Sequence, residues 1–321
     1  MRRFIKKIVL FSTLIMICLP LLAVFDYFVI GSQYKYGYQA SLIDKVDRLV
    51  SINEPKIILV GNSNLSFGIH SAEIQEELGM PVVNLGLIGG LGNAYHEQIA
   101  KLNINEGDIV VICHSSFSDN DEIDAPELAW ITYDFNDSLW PIFRRKDYEV
   151  ILRAWPKYFL KSLYLWLFNE GNHIPDDCYS RTAFNEYGDV IFKPLDGQMN
   201  VDEFFAKTSI TVPKINDICT TRLNELNKYC IEHGATMVVA GYPIAYGQYA
   251  EFTAKDFENF QEQLEAVLDC DVISNYTDYF YPYDYFYNTA FHLTNDGAGV
   301  RTKQLISDLE KWFETDNRQI Q

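Results

Sequence analysis

Short, unbroken apolar runs recur along the chain at 57–60, 109–113, 236–240 and 272–273, with a briefer one at 81–84. A run apolar at both pleat positions marks a strand buried on both faces, as in a parallel sheet covered by helices. Helix-period segments lie between these runs. Ser71 can cap a helix over 72–78, and Gly79 can end it. A second helix runs to about Asn103, before a turn at Asn105-Glu106-Gly107; Asp108 introduces the next strand. An amphipathic helix over 212–233 stops at Gly234, another spans 254–268, and 296–313 closes the chain. Strand and helix in alternation predict a parallel sheet with right-handed crossovers.

The pattern differs at two places. Arg2, Arg3, Lys6 and Lys7 precede an apolar run over 8–25, broken only by Ser12, Thr13 and Pro20. That length spans a bilayer, and the cations place the N-terminus in the cytoplasm. A cleaved signal peptide is the competing reading. Against it, no A-x-A-like site follows, Tyr27 and Phe28 read as interfacial anchors, and no cysteine stands where a lipoprotein needs one. Residues 1–31 are thus expected to anchor the protein in the cell membrane. Residues 32–55 form a polar, largely helical stalk, and 56–316 one extracytoplasmic domain with an insertion at about 115–211. That insertion opens with an acidic loop (115–127) and is rich in aromatics, including Trp130, Trp140, Trp155 and Trp166. Trp155, Phe159, Ser162 or Leu163, and Trp166 share a helical face. They read as a helical subdomain with its own small core. A lid over the active rim, or a second contact with the membrane, is the alternative. Residues 181–189 read as a turn closing the insertion.

In a chain of 321 residues, a soluble part of about 290 fits one large α/β domain or one domain with an inserted subdomain. A net charge of −18 excludes a nucleic-acid partner, and the Arg144-Arg145-Lys146 patch is too short to reverse that. The six cysteines show no C-x-x-C and no metal-like spacing with histidine, so neither a metal nor an organic cofactor is expected. Cys219 and Cys230 fall on one helix about 16 Å apart, beyond disulfide reach.

Candidate chemistry gathers where the first two strands end. Gly61-Asn62-Ser63-Asn64 follows the first, and a loop with Gly86, Gly89, Gly90 and Gly92 follows the second. In open α/β sheets, ligands sit outside the carboxyl ends of strands. The esterase elbow G-x-S-x-G fails at Leu65, no Gly-Lys-Ser/Thr follows Gly61, and the glycines are not spaced G-x-G-x-x-G. A serine nucleophile needs a base, and histidine is the usual one. Of the six histidines, His292 in Phe291-His292-Leu293-Thr294-Asn295 stands just before the closing helix. His114, at the end of the third strand, is a minor candidate. His70, His96, His173 and His233 read as structural or surface residues.

Gly-Asn-Ser after the first strand and His-Leu-Thr-Asn before the last helix resemble the first and last blocks of the SGNH, or GDSL-like, hydrolases, with Asn62 where aspartate is common. The resemblance covers about 56–113 and 212–313. It implies a three-layer α/β/α sandwich with a flavodoxin-like sheet of five parallel strands. It also implies Ser63 as nucleophile and His292 as base, with the amides of Ser63 and Gly89 as an oxyanion hole. Two departures stand out. The family aspartate three residues before the histidine is Thr289 here, which leaves Asn288 or Asp284 to orient the ring, or a Ser–His dyad. The third block, Gly-x-Asn, is replaced by His114-Ser115-Ser116, and Ser115 or Ser116 takes its place as an oxyanion donor. Asn64, Tyr242 and Tyr287 are candidates for substrate contact. The nine aromatics over 276–291 read as core packing, or as a stacking wall for sugar or acyl groups. A membrane-tethered, outward-facing domain of this kind resembles the O-acetylation and D-alanyl transfer proteins of cell envelopes. The implied function is an esterase or O-acyltransferase on an acylated envelope polysaccharide, with a membrane acyltransferase as partner. The rival is a non-catalytic scaffold of the same fold that binds a glycan or a membrane partner.

Overall fold

The structure, a computed structural model, describes residues 1–118, 122–191 and 200–315. Its central sheet holds β1 (Ile57–Val60), β2 (Val82–Asn84), β3 (Ile109–Ile112), β4 (Thr236–Val239) and β6 (Asp271–Val272). They lie in the order β2-β1-β3-β4-β6, all parallel. A two-stranded ribbon pairs β5 (Ile244–Ala245) with β7 (Phe280–Tyr281). The helices are α1 (Arg2–Phe25), α2 (Leu42–Ser51), α3 (Ser63–Ser66), α4 (Ser71–Leu78), α5 (Asn93–Ala100), α6 (Glu127–Thr132), α7 (Tyr148–Phe168), α8 (Val201–Phe205), α9 (Asp217–Glu232), α10 (Ala254–Val267) and α11 (Asn295–Thr315).

The unbroken apolar runs have their physical cause in two cores, one on each face of the sheet. Ile58, Val60, Val110, Ile112, Met237 and Val239 face the side covered by α2, α5, α9 and α10. Ile57, Leu59, Ile109, Val111 and Val238 face α4 and α11, where Leu305, Leu309 and Trp312 meet them. Each such side chain removed from water contributes about 1.5–3 kcal/mol, so neither pleat position tolerates a polar residue. The result is a three-layer α/β/α arrangement.

Local capping shifts several expected boundaries. The helix read over 212–233 begins only at Asp217, where the Asn216 side chain accepts from the Ile218 amide at 2.8 Å. The last strand of the sheet is Asp271–Val272, one residue before the expected 272–273. Ser71 does not cap α4 but is its first residue, with His70 in the cap position. The Asp189 carboxylate accepts from the Ser71 amide (2.8 Å), the Ser71 hydroxyl (2.6 Å) and Asn84 Nδ2 (2.8 Å). An anion at a helix start is favoured by the helix dipole and by the open amides there.

Two expectations about domain organisation change. The stretch 32–55, read as a stalk, packs into the domain: Leu42, Val46 and Leu49 bury one face of α2 against the main core. Lys45 is buried with them, donating to the Asn84 carbonyl at 3.0 Å; burial pushes its amine down to about 7. Among the described residues, the insertion has no separate core. Tyr133, Ile142, Phe143 and Ile151 join the same cluster as Leu91 and Tyr95, and the Tyr95 and Tyr133 hydroxyls meet at 2.6 Å. Residues 119–121 of the acidic loop, 192–199 of the insertion and the domain's expected last residue, 316, lie outside the described residues.

At the amino edge of the sheet, Lys56 and Asp108 form a fully buried ion pair at 2.7 Å that ties β1 to β3. Asp189 does the equivalent work between the insertion, α4 and β2. Replacing it (Asp189→Ala) strands three buried donors, and unfolding in urea is expected to lose about 3 kcal/mol. A loss below about 0.5 kcal/mol would show that the insertion is not tied to the sheet through this carboxylate.

Candidate active site

β1 runs out at Val60, and the chain turns at Asn62 into the single-turn helix α3. Asn62 Oδ1 accepts from the Asn64 amide at 3.0 Å, which starts the turn and sets Ser63 at its first position. The loop after β2 closes directly on α3. At Gly86 any Cβ would lie 2.7 Å from both Leu65 Cβ and the Ser66 nitrogen, so only glycine fits. His292 arrives from the other end of the chain. Leu293 bridges to Phe286, the Tyr287 amide donates to the His292 carbonyl at 2.8 Å, and the His292 amide donates to Thr289 Oγ1 at 3.0 Å. The imidazole stacks on Phe67, ring centres 4.1 Å apart and 12° from parallel.

In that position His292 Nε2 lies 2.8 Å from Ser63 Oγ, and Nδ1 lies 2.8 Å from Asn288 Oδ1. Asn288 Nδ2 in turn donates to the Tyr179 hydroxyl at 2.7 Å. The amide orientation and the ring tautomer are assigned from this network. With its nitrogen turned to Tyr179, Asn288 presents its oxygen to the ring. Nδ1 therefore carries the proton, and Nε2 offers its lone pair to the serine hydroxyl. Burial pushes the imidazole down to about 4, so the ring is neutral at physiological pH.

The backbone amide of Ser63, open at the start of α3, and that of Gly89 donate to no acceptor among the described residues. Gly89 lies against Asn62: a Cβ built there would be 3.6 Å from Asn62 Cβ. Ser115, not Ser116, reaches this turn, its hydroxyl accepting from Asn62 Nδ2 at 2.9 Å. The Ser116 hydroxyl pairs with that of Ser118 instead, at 3.1 Å. Asp284 sits exposed in a 3₁₀ turn (Tyr283–Tyr285), and the ring nitrogen it was a candidate to hold is taken by Asn288. Asn64 is fully buried; its side chain donates to the Cys113 carbonyl at 3.0 Å and accepts from Arg301 at 3.0 Å, so it cannot touch substrate. His114 is also buried, paired with Glu97 at 3.0 Å, and Glu97 is held by Arg222 at 2.7 Å.

The aromatic tract divides. Tyr276, Tyr279, Tyr281, Tyr283 and Phe286 are core residues, while Tyr287 and Phe291 stay partly accessible. Tyr287 also lies near-parallel to the Phe67 ring (6.5 Å, 18°). A groove of about 380 Å³ is lined by Ser115, Ser116 and Ser118 and by Tyr242, Ala290 and Phe291. Tyr242 is thus a buried wall of the groove. Among the described residues, no three His, Cys, Asp or Glu side chains gather as metal ligands. Tyr179 and Arg301 were not foreseen: neither lies in a motif, and the residues they hold are 109 and 237 positions away.

Titration of His292, followed by carbon-13 NMR of the full chain, is expected to show a midpoint about 4, below the usual histidine range. Asn288→Asp places a carboxylate on Nδ1 and is expected to raise that midpoint by at least about 1 unit. An unchanged midpoint would show that Asn288 does not hold the ring. Compared with known proteins, the chain matches no family model, no curated protein and no solved structure, so the reading of this site rests on its own geometry.

Proposed function

We propose that the protein is a membrane-anchored SGNH-type esterase or O-acyltransferase that acts on an acylated cell-envelope glycan. The observation that carries this reading is the 2.8 Å contact between Ser63 Oγ and His292 Nε2, from segments 229 residues apart. The sheet order supports it: numbered within the sheet it reads 2-1-3-4-5, the flavodoxin-like arrangement, with Ser63 and the glycine loop outside its carboxyl edge.

In this mechanism Ser63 Oγ attacks the ester carbonyl while His292 Nε2 takes its proton. The Ser63 and Gly89 amides hold the resulting oxyanion, each donor contributing about 3 kcal/mol. The tetrahedral intermediate collapses as His292 passes the proton to the leaving alcohol, leaving an acyl group on Ser63. Water or a sugar hydroxyl, deprotonated by the same ring, then attacks and regenerates the serine. The groove beside Ser115 and Phe291 brings serine and threonine residues together with apolar ones, which suits an acylated sugar. α1, long and apolar enough to cross a bilayer, would hold the domain on the outer side, with Arg2, Arg3, Lys6 and Lys7 inside. A membrane acyltransferase would supply the acyl group where the reaction is transfer.

One observation favours a non-catalytic scaffold: the group on His292 Nδ1 is the amide of Asn288, which cannot stabilise an imidazolium as a carboxylate does. Turnover of a model acetyl ester separates the two. Ser63→Ala is expected to lower kcat by at least about 10²-fold and to abolish labelling by a serine-directed phosphonate. Correctly folded wild-type protein that neither turns over ester nor takes the label would establish the scaffold.

The pH profile follows from the buried ring. The base is active when neutral, so kcat/KM is expected to rise through about 4 and stay level to neutral pH. An acid limb near 6.5 would show that burial does not lower the ring in the working protein, and no acid limb between about 3 and 7 would mean that His292 is not the base.

A further inference from the structure

α7, at the heart of the insertion, keeps an apolar face that none of the described residues covers. Leu160 (63% exposed), Tyr164 (51%), Leu167 (61%) and Phe168 (62%) stand at i, i+4, i+7 and i+8, one continuous stripe. Leu152 (61%) extends the outward face toward the start of the helix. A soluble monomer seldom leaves so many large apolar side chains together in water.

The opposite face of α7 packs on the end of α1. The Trp166 ring meets Phe25 edge-on at 6.0 Å, and Trp155 Nε1 donates to Asp26 Oδ2 at 3.1 Å. Trp155 and Trp166 are about 16 Å apart along α7, yet they meet neighbouring residues of the anchor. α7 therefore crosses the end of α1 rather than running along it. Just after that contact Tyr27 (68%), Phe28 (75%) and Val29 (49%) are also exposed. A helix laid across the end of a spanning helix, apolar outward and with Lys161 on its outer surface, has the form of an interfacial helix whose lysine extends to headgroups, while Lys157 pairs with Glu127.

We propose that α7 is a second membrane contact, with its outward face seated at the headgroup–acyl boundary of the bilayer that α1 crosses. The proposal rests on α1 spanning that bilayer. Two contacts, where a tether alone gives one, fix the tilt of the domain over the membrane. The same insertion, eleven residues beyond Phe168, delivers Tyr179 to the Asn288 amide, so the membrane contact and the histidine network share one segment.

The test uses the full chain in phosphatidylcholine nanodiscs whose acyl chains carry a photoactivatable diazirine, with adducts mapped by mass spectrometry. Lipid adducts are expected on α1 and on the 152–168 peptide. Replacing Leu160, Leu167 and Phe168 together (Leu160→Glu, Leu167→Glu, Phe168→Glu) is expected to lower the 152–168 adducts at least fivefold while those on α1 persist. Adducts confined to α1 in the unmodified protein would overturn the proposal and leave the anchor standing. Protein–protein crosslinks joining two copies at 152–168, without lipid adducts there, would overturn it in favour of a dimer. No adducts on α1 would remove the spanning helix and the proposal together.

Discussion

The contact between Ser63 and His292 depends on a guanidinium buried beneath it. Arg301, in the second turn of α11 and fully buried, donates to the Asn64 carbonyl at 2.7 Å, to Asn64 Oδ1 at 3.0 Å and to the Gly241 carbonyl at 3.3 Å. Its acceptors are all neutral, and burying a cation without a counter-charge costs several kcal/mol. The cost falls where two segments far apart in sequence have to meet. Ser63 opens the turn that Arg301 grips, and His292 lies three residues before the helix that carries Arg301. One rigid fork thus sets the height of both partners against the sheet. Gly68 leaves the space for it: a Cβ there would lie 2.7 Å from Arg301 Nη1.

The insertion is the second constraint, and it acts from the opposite side. Asp189 locks it to α4 and β2, and Lys45 of α2 bonds the Asn84 carbonyl under it. Tyr179 and Cys178 then stand against Asn288 and Tyr287. A side chain on a mobile flap could not hold an amide in one of its two orientations. A segment fastened at Asp189 can.

The strands were readable because burial on both faces leaves no polar position to confuse the period. The stretch 32–55 was not, because Asp44, Lys45, Asp47 and Arg48 disguise the i, i+4, i+7 stripe of Leu42, Val46 and Leu49, and nothing local shows that Lys45 finds buried carbonyls. The Ser63–His292 pairing was readable from block order. Which side chain meets Nδ1 was not, since spacing in an irregular loop does not say whether position 284 or 288 turns inward; the 3₁₀ turn sends Asp284 to solvent. Asn64 read as a turn residue open to ligand because its true partner, Arg301, looks in sequence like any cation on a helix surface.

An amide on Nδ1, where a carboxylate would bring a charge, changes what the site can stabilise. With burial unopposed, protonating His292 at neutral pH is disfavoured by about 3 kcal/mol relative to a histidine in water. In the free protein the ring is therefore a weak base, held in the right tautomer but not primed by charge. On the proposed reading, the charge that offsets this appears only when an ester is attacked, as the oxyanion forms between the Ser63 and Gly89 amides. The imidazolium and the oxyanion then stabilise each other in a site with little water to screen them. A carboxylate favours the imidazolium with or without substrate; an oxyanion favours it only along the reaction path, which is the difference that lowers a barrier. On the proposed reading, Asn288 and Tyr179 supply orientation and leave the charge to the substrate.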